Sequence, residues 1–339
     1  MSDQKVTPSA IVRYLDRFVI GQDEAKKTLA VAVYTHLKKI ARAQRDGTRI
    51  IKSNVLLIGP TGSGKTFVCE MLSRALRVPF VTAEATSLAQ SRYVNDEIQA
   101  IMQRLVDGAG GDLPRAQHGI VFIDEIDKLK AREGEARAVS GESVQHALLK
   151  IMEGSAVRLA DGGYVDTTNV LFICGGAFVG LEKVAASGHT YGYISTSQDD
   201  DTAVLDRLNK RVKPTDLIEF GLIPEFTGRL PITARFQPLT RSQLVRVMTE
   251  PQDCLYNQFR ELLKAEGVEL VVAAEAFEQI ADLAIQYQTG ARSLRGLFEE
   301  LITPVLYDIP DDPAIRKVEI ASIFAEPTVT RGAPRTPGA

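Results

Sequence analysis

Gly59-Pro60-Thr61-Gly62-Ser63-Gly64-Lys65-Thr66, followed by Phe67, completes the Gly-x-x-x-x-Gly-Lys-Thr pattern of a phosphate-binding loop. It stands between an apolar run, Asn54-Val55-Leu56-Leu57-Ile58, which reads as a parallel strand buried on both faces, and a helix opening near Lys65. Glycines at 59, 62 and 64 let the backbone turn its N–H groups inward around phosphate oxygens, and the helix N-terminus adds partial positive charge there. Lys65 is the candidate for the β- and γ-phosphates, and the Thr66 hydroxyl for Mg²⁺. The alternative is a Gly-rich turn with no ligand. A chance match of the full pattern has a probability on the order of 1%, which disfavours that alternative.

Such a loop needs an acidic strand end, and Ile120-Val121-Phe122-Ile123-Asp124-Glu125 supplies one. Strands often end in acids only because the chain has reached solvent. Here four apolar residues come first, so a strand buried on both faces would carry Asp124 to the magnesium shell and Glu125 to the attacking water. The two segments together predict binding and hydrolysis of a nucleoside triphosphate, with Mg²⁺ as the expected metal.

Composition sets the frame. The 339 residues are 45% hydrophobic and 24% charged, which suits a globular chain of about two domains. A net charge of −3 and a pI near 5.9 give no electrostatic footprint for nucleic acid or an anionic membrane, so neither is an expected partner. Apolar runs are too short to span a bilayer and the N-terminus has no signal-peptide core, which points to the cytoplasm. Cys69, Cys174 and Cys254 form no Cys-x-x-Cys pair and read as reduced core residues. His36, His118, His146 and His189 show no metal-ligand spacing, so no zinc is expected.

Strand and helix patterns alternate up to Pro238. Thr7-Pro8 starts a helix through Leu15, and Asp23 caps the next. Strands follow at Pro79–Thr82 and Val170–Cys174. Helices are expected at Val94–Leu105 and Ser143–Met152, a loop at Gly108–Pro114, and a hairpin turn at Asp161-Gly162-Gly163. This argues for a parallel α/β sheet with its ligand at the carboxyl ends of the strands. Beyond Pro238 the pattern is mostly helical: Arg241–Met248, Pro251–Glu266, Ala274–Tyr287 and Arg292–Tyr307. The expected division is a large domain over 1–238, a small helical domain over 239–325, and a disordered tail over 326–339.

Ser53–Thr66, Gly119–Lys128, Val139–Gly154, Val170–Phe178 and Asp216–Pro231 closely resemble the ClpX family of AAA+ unfoldases, which feed proteins to the ClpP peptidase. The similarity runs from about Val6 to about Ile320. The related HslU proteins carry a large insertion after the acidic strand, for which the span from Asp124 to Val170 has no room. The resemblance implies an AAA+ P-loop fold with a parallel five-stranded sheet flanked by helices and a smaller, mostly helical C-terminal domain. It also implies ATP as the nucleotide and a homohexamer acting on protein substrates. By the same resemblance Val19 and Ile20 contact adenine, where the alternative is a turn with two core aliphatics. Arg229 matches the finger that reaches the neighbouring subunit's γ-phosphate, and Arg292 matches the sensor-2 arginine. For each arginine the alternative is an ordinary surface ion pair.

The departures from the family fall on loops that handle partners. The pore loop, Gly-Tyr-Val-Gly in the family, reads Arg92-Tyr93-Val94-Asn95. Tyr93 and Val94 remain the pore candidates, with packing of Tyr93 at the following helix as the alternative. The basic cluster of a second pore loop is reduced to Arg158. The peptidase-docking tip has only Tyr191-Gly192-Tyr193-Ile194 beside Asp199-Asp200-Asp201, and the family's N-terminal zinc domain is not matched. Cys174-Gly175-Gly176 leaves the sensor-1 position unassigned. Three readings stay open: an unfoldase delivering to ClpP, a stand-alone remodeller, and a nucleotide-gated ring with slow turnover.

Overall fold

The computed structural model describes residues 6–47, 52–91, 93–130, 141–187 and 212–333. Two compact units emerge. Residues up to Val12, Glu24–Pro60 and Lys65–Phe236 make the first; Arg13–Asp23, Thr61–Gly64 and the chain from Gln237 make the second. The main break, between Phe236 and Gln237, lies next to the expected boundary at 238, while Arg13–Asp23 and Thr61–Gly64 group across it. Two early segments group with the second unit because they bond to it: the Gln22 amide donates to the Ser63 and Gln237 carbonyls at 3.2 and 2.8 Å, and the Ala291 N–H donates to the Gly62 carbonyl at 3.0 Å.

Along the chain, α1 (Pro8–Leu15) and α2 (Asp23–Asp46) precede β1 (Val55–Ile58), α3 (Lys65–Leu76), β2 (Phe80–Glu84), α4 (Ala85–Gln90), α5 (Val94–Gly108), α6 (Leu113–Ala116) and β3 (Ile120–Asp124). Then come α7 (Gly141–Glu153), β4 (Ala156–Arg158), β5 (Tyr164–Asp166), β6 (Leu171–Gly176), α8 (Leu181–Ser187), α9 (Pro214–Phe220), α10 (Pro224–Gly228) and β7 (Ile232–Arg235). Five of these strands form the sheet of the first unit, in the order β2-β3-β6-β1-β7, and every pairing is parallel. All four residues of β1 are buried, as are the first four of β3, which is why both strands read as unbroken apolar runs. The parallel five-stranded sheet flanked by helices is the expected fold.

Gly108–Pro114, expected as a loop, instead leads into α6. The Asp112 carboxylate caps that turn by accepting from the Arg115 N–H at 3.0 Å, and a proline occupies its first turn.

In the second unit α11 (Arg241–Thr249) opens with a capping box in which Thr240 and Gln243 bond reciprocally. It is followed by α12 (Leu255–Ala265), β8 (Glu269–Val272), α13 (Ala274–Gln286), a 3₁₀ turn at Gly290–Ser293, α14 (Leu294–Asp308), β9 (Ile315–Ile320) and β10 (Thr328–Arg331). Phe259, Phe277 and Phe298 pack ring to ring in its core. A three-stranded sheet, β10-β9-β8, accompanies the helices. That sheet corrects the reading of a disordered tail from residue 326, since Thr328–Arg331 pair antiparallel with Glu319–Ile315 and so satisfy their backbone groups.

Candidate active site

Strand β1 delivers the chain into the phosphate loop at the carboxyl end of the sheet, where the Gly59 N–H donates to the Gly176 carbonyl at 3.2 Å. Gly62 has φ +75° and Gly64 φ +92°. A Cβ at Gly62 would lie 2.0 Å from the Thr289 carbonyl oxygen, so only glycine fits that contact, whereas the space at Gly64 is open. The Lys65 ammonium is buried and donates to the loop's own Gly59 and Pro60 carbonyls at 2.7 and 3.1 Å. The Ser63 hydroxyl is buried with no hydrogen-bond partner. An orphaned hydroxyl, an ammonium held by backbone oxygens and an open glycine at a helix N-terminus suit a polyphosphate.

On the neighbouring strand, β3 brings Asp124 to the same end. The Thr66 hydroxyl donates to Asp124 Oδ2 at 3.3 Å, and Asp124 Oδ1 accepts the Glu125 N–H at 2.8 Å. A hydroxyl and a carboxylate at this separation are oxygen ligands suited to a hard divalent cation. Glu125 holds a left-handed backbone, φ +58° and ψ +31°, a conformation that is strained for a side chain of this type. Its Oε2 accepts from the Thr86 hydroxyl at 3.2 Å. A Cβ at Gly175 would lie 2.6 Å from the Phe122 ring and 3.2 Å from Asp124 Oδ1. The unassigned Cys174-Gly175-Gly176 segment thus leaves room beside the Asp124 carboxylate. Burial pushes the Cys174 thiol up to about 12, and burial with the Asp124 charge pushes Cys69 higher still, so both stay protonated.

At the amino end of the same sheet a second cluster surrounds Arg229, the residue following α10. Its guanidinium pairs with Glu153 Oε1 at 2.6 Å, both side chains being partly exposed. The buried Asn54 amide, one residue before β1, donates to the Arg229 and Met152 carbonyls at 3.2 and 3.4 Å and accepts from the Phe172 N–H at 3.4 Å. Lys52 donates to the Thr167, Ile151 and Val170 carbonyls at 2.7, 3.3 and 3.3 Å. Burial pushes that amine down to about 7, yet three carbonyls account for all three protons of an ammonium, so the charged form is the one held. His36 bonds the Asn169 carbonyl through Nε2 at 3.0 Å. Burial first, with Lys52 and Lys39 nearby, pushes its pKa down to about 4, so it is neutral near pH 7. His36, Lys52, Glu153, Asn169 and Arg229 help line a cavity of about 280 Å³.

Residues 51–233 match the family model described as the AAA domain (Cdc48 subfamily), and residues 239–321 match the C-terminal, D2-small domain of ClpB protein. Among curated relatives, the ATP-dependent Clp protease ATP-binding subunit ClpX 3 of Methylococcus capsulatus is 41% identical over 91% of this chain and 78% of its own length. The ClpX subunit of Azotobacter vinelandii is 42% identical over 93% and 77%, and that of Borrelia duttonii 40% over 96% and 81%. This chain belongs to the ClpX family of AAA ATPases. It binds nucleotide and is an AAA+ chaperone of the unfoldase type.

Other residues matched to the ClpX pattern divide between the two units. Val19 and Ile20 are buried ahead of a turn in which Gly21 and Gln22 both have positive φ. Arg292 lies exposed in the 3₁₀ turn, next to the Ala291 N–H that bonds Gly62. In the first unit Tyr93 caps α5 with its backbone carbonyl, and the residue is 69% exposed. Val94 packs against the core. The hairpin β4–β5 pairs Arg158 with Tyr164, whose ring is also exposed and was missed in the sequence. Arg92, Tyr191–Ile194, Asp199–Asp201 and His189 lie outside the described residues. No helix among the described residues is long and apolar enough to cross a membrane.

Gln22, Asn54, Thr86, Glu153 and Gly175 also escaped sequence reasoning. Only Gln22 had a local signal, since it follows a glycine directly before a helix cap.

Proposed function

We propose that this chain is the motor of an ATP-driven protein unfoldase, working as a homohexameric ring that threads polypeptides through a central pore. The observation that carries the reading is the placement of Arg229. Asn54 ties its backbone to the amino end of β1, while Lys65, Thr66 and Asp124 lie at the carboxyl end. The four residues of β1 span roughly 13 Å, too far for one arginine side chain to reach its own subunit's phosphates. A finger in that position serves another copy, and a closed ring gives every site one.

In this reading Gly59, Pro60, Thr61, Gly62, Ser63, Gly64 and Phe67 form the cradle, and Lys65 binds the β- and γ-phosphate oxygens. Val19 and Ile20 flank the adenine. Thr66 and Asp124 hold Mg²⁺, which when bound neutralises phosphate charge. Glu125 orients water and accepts its proton as the water oxygen bonds to the γ-phosphorus and the bond to the β–γ bridging oxygen breaks. Arg292 of the same subunit and Arg229 of the neighbour stabilise the charge on the transferring group. Tyr93 and Val94 face the polypeptide in the pore, with Tyr93 passing the stroke to it.

A second reading keeps the motor without the peptidase, and the divergent Tyr191-Gly192-Tyr193-Ile194 segment favours it. Affinity capture with Glu125→Gln, which should bind ATP and release clients slowly, separates the two. A ClpP-type peptidase recovered in stoichiometric amount supports a proteolytic motor, and clients without it support a remodeller. ATP turnover that protein substrates fail to stimulate would instead mark a nucleotide-gated ring and sink the motor reading.

A further inference from the structure

Glu153 is the last residue of α7, where a negative charge opposes the helix dipole. Helix stability therefore gives no reason for a carboxylate there. Its ion pair with Arg229 is partly solvated on both sides, a setting in which such pairs add little to folding. What distinguishes the pair is its frame. One buried amide, that of Asn54, donates to the carbonyl of Met152, adjacent to Glu153, and to the carbonyl of Arg229 itself. The same side chain accepts from Phe172 in the central strand β6, so the separation between the two charged residues is set from the sheet.

We infer that Glu153 is a positioning residue for Arg229, holding the guanidinium in one pose at the amino end of the sheet, with Asn54 as the backbone clamp for both. A free arginine samples many rotamers, and a finger displaced by an ångström loses much of its effect. Glu153 fixes the direction from which the guanidinium meets a neighbouring subunit's phosphate, and competes with that phosphate for it between turnovers. The inference rests on the reading of Arg229 as a residue that acts across the ring.

The test is steady-state ATP hydrolysis by the full chain, at equal ring content by sedimentation, for Glu153→Gln, Arg229→Ala and the double variant. Glutamine keeps the length and an acceptor oxygen while removing the charge. The expected result for Glu153→Gln is a kcat lower by about 10- to 100-fold, with KM for ATP changed by less than about threefold. Melting should stay within about 2 °C of the parent. The double variant should be no slower than Arg229→Ala alone. Glu153→Asp keeps the charge at shorter reach and should retain part of the lost rate, and it carries the test if the glutamine variant is insoluble. An unchanged kcat in Glu153→Gln beside a slow Arg229→Ala overturns the positioning role, as does a double variant slowed by the product of the single effects. Full activity in Arg229→Ala removes the trans-acting reading itself, and this inference with it.

Discussion

The two ends of the five-stranded sheet in the first unit carry opposite chemistry. At the carboxyl end, Thr66, Asp124 and Glu125 gather oxygen atoms beside a loop whose buried Ser63 hydroxyl lacks a partner. At the amino end, Lys52 and Arg229 are cations already engaged by carbonyls and by Glu153. One end is built to receive a ligand, while at the other the two cations already have partners, with the Arg229 guanidinium still reaching solvent. The difference teaches how a parallel sheet can serve two sites. In the proposed ring, its carboxyl ends would hold one subunit's phosphates, and its amino ends would present an arginine to those of another.

Arg229→Ala should produce the largest break, lowering ring ATP hydrolysis by about 10³-fold or more. Mixing it with Glu125→Gln subunits should restore part of the turnover, because each variant supplies the half that the other lacks. Absence of recovery would mean that the two ends do not cooperate across copies. Glu125→Gln alone should slow hydrolysis by about 10²- to 10⁴-fold, with affinity for a fluorescent nucleotide within about threefold of the parent. A matching loss of affinity would assign Glu125 to binding.

His36 sharpens the description of the amino end through pH. Its folded pKa near 4 lies below the ordinary 6.5, so the folded state resists protonation that the unfolded chain accepts. Stability should be unaffected above about pH 6.5 and fall as pH drops toward 4, by about 3 kcal/mol in total, then level off. Urea unfolding at a series of pH values checks this against His36→Gln, which keeps an N–H for the Asn169 carbonyl and should be less acid-sensitive. Equal acid sensitivity of the two proteins would remove His36 as the titrating group. Asn54→Ala should cost about 2 kcal/mol by the same measurement, since it strips partners from the Met152 and Arg229 carbonyls in a buried place. A loss below about 0.5 kcal/mol would show that those carbonyls find other donors.

Legibility in the sequence followed the range of the interaction. The phosphate loop and the Asp124-Glu125 strand end are contiguous, and their spacing states their chemistry. The parallel sheet followed from apolar runs alternating with helices. The small sheet of the second unit was not legible. Ile315–Ile320 mixes apolar and charged residues, and its parallel partner Glu269–Val272 lies far back along the chain across two helices. Glu153 looked like any helix-end residue, and Asn54 like the polar start of a strand. Thr86, four residues past the expected strand end at Thr82, gave no hint that its hydroxyl reaches Glu125.

By itself the sequence determined that a nucleotide-binding loop, an acidic strand end and a parallel α/β core exist in this chain, and enough similarity to place it among ClpX relatives. Those features are local: a turn, a strand or a cap is set by residues within a few positions of one another. Only the tertiary structure decided that Asn54 joins Met152 to Arg229, that Gln22 and Ala291 bond the tip of the phosphate loop, and that Arg229 lies at the end of the sheet away from Lys65. The physical reason is that a buried N–H or C=O must be paired, while the identity of its partner depends on strand register and packing between distant segments.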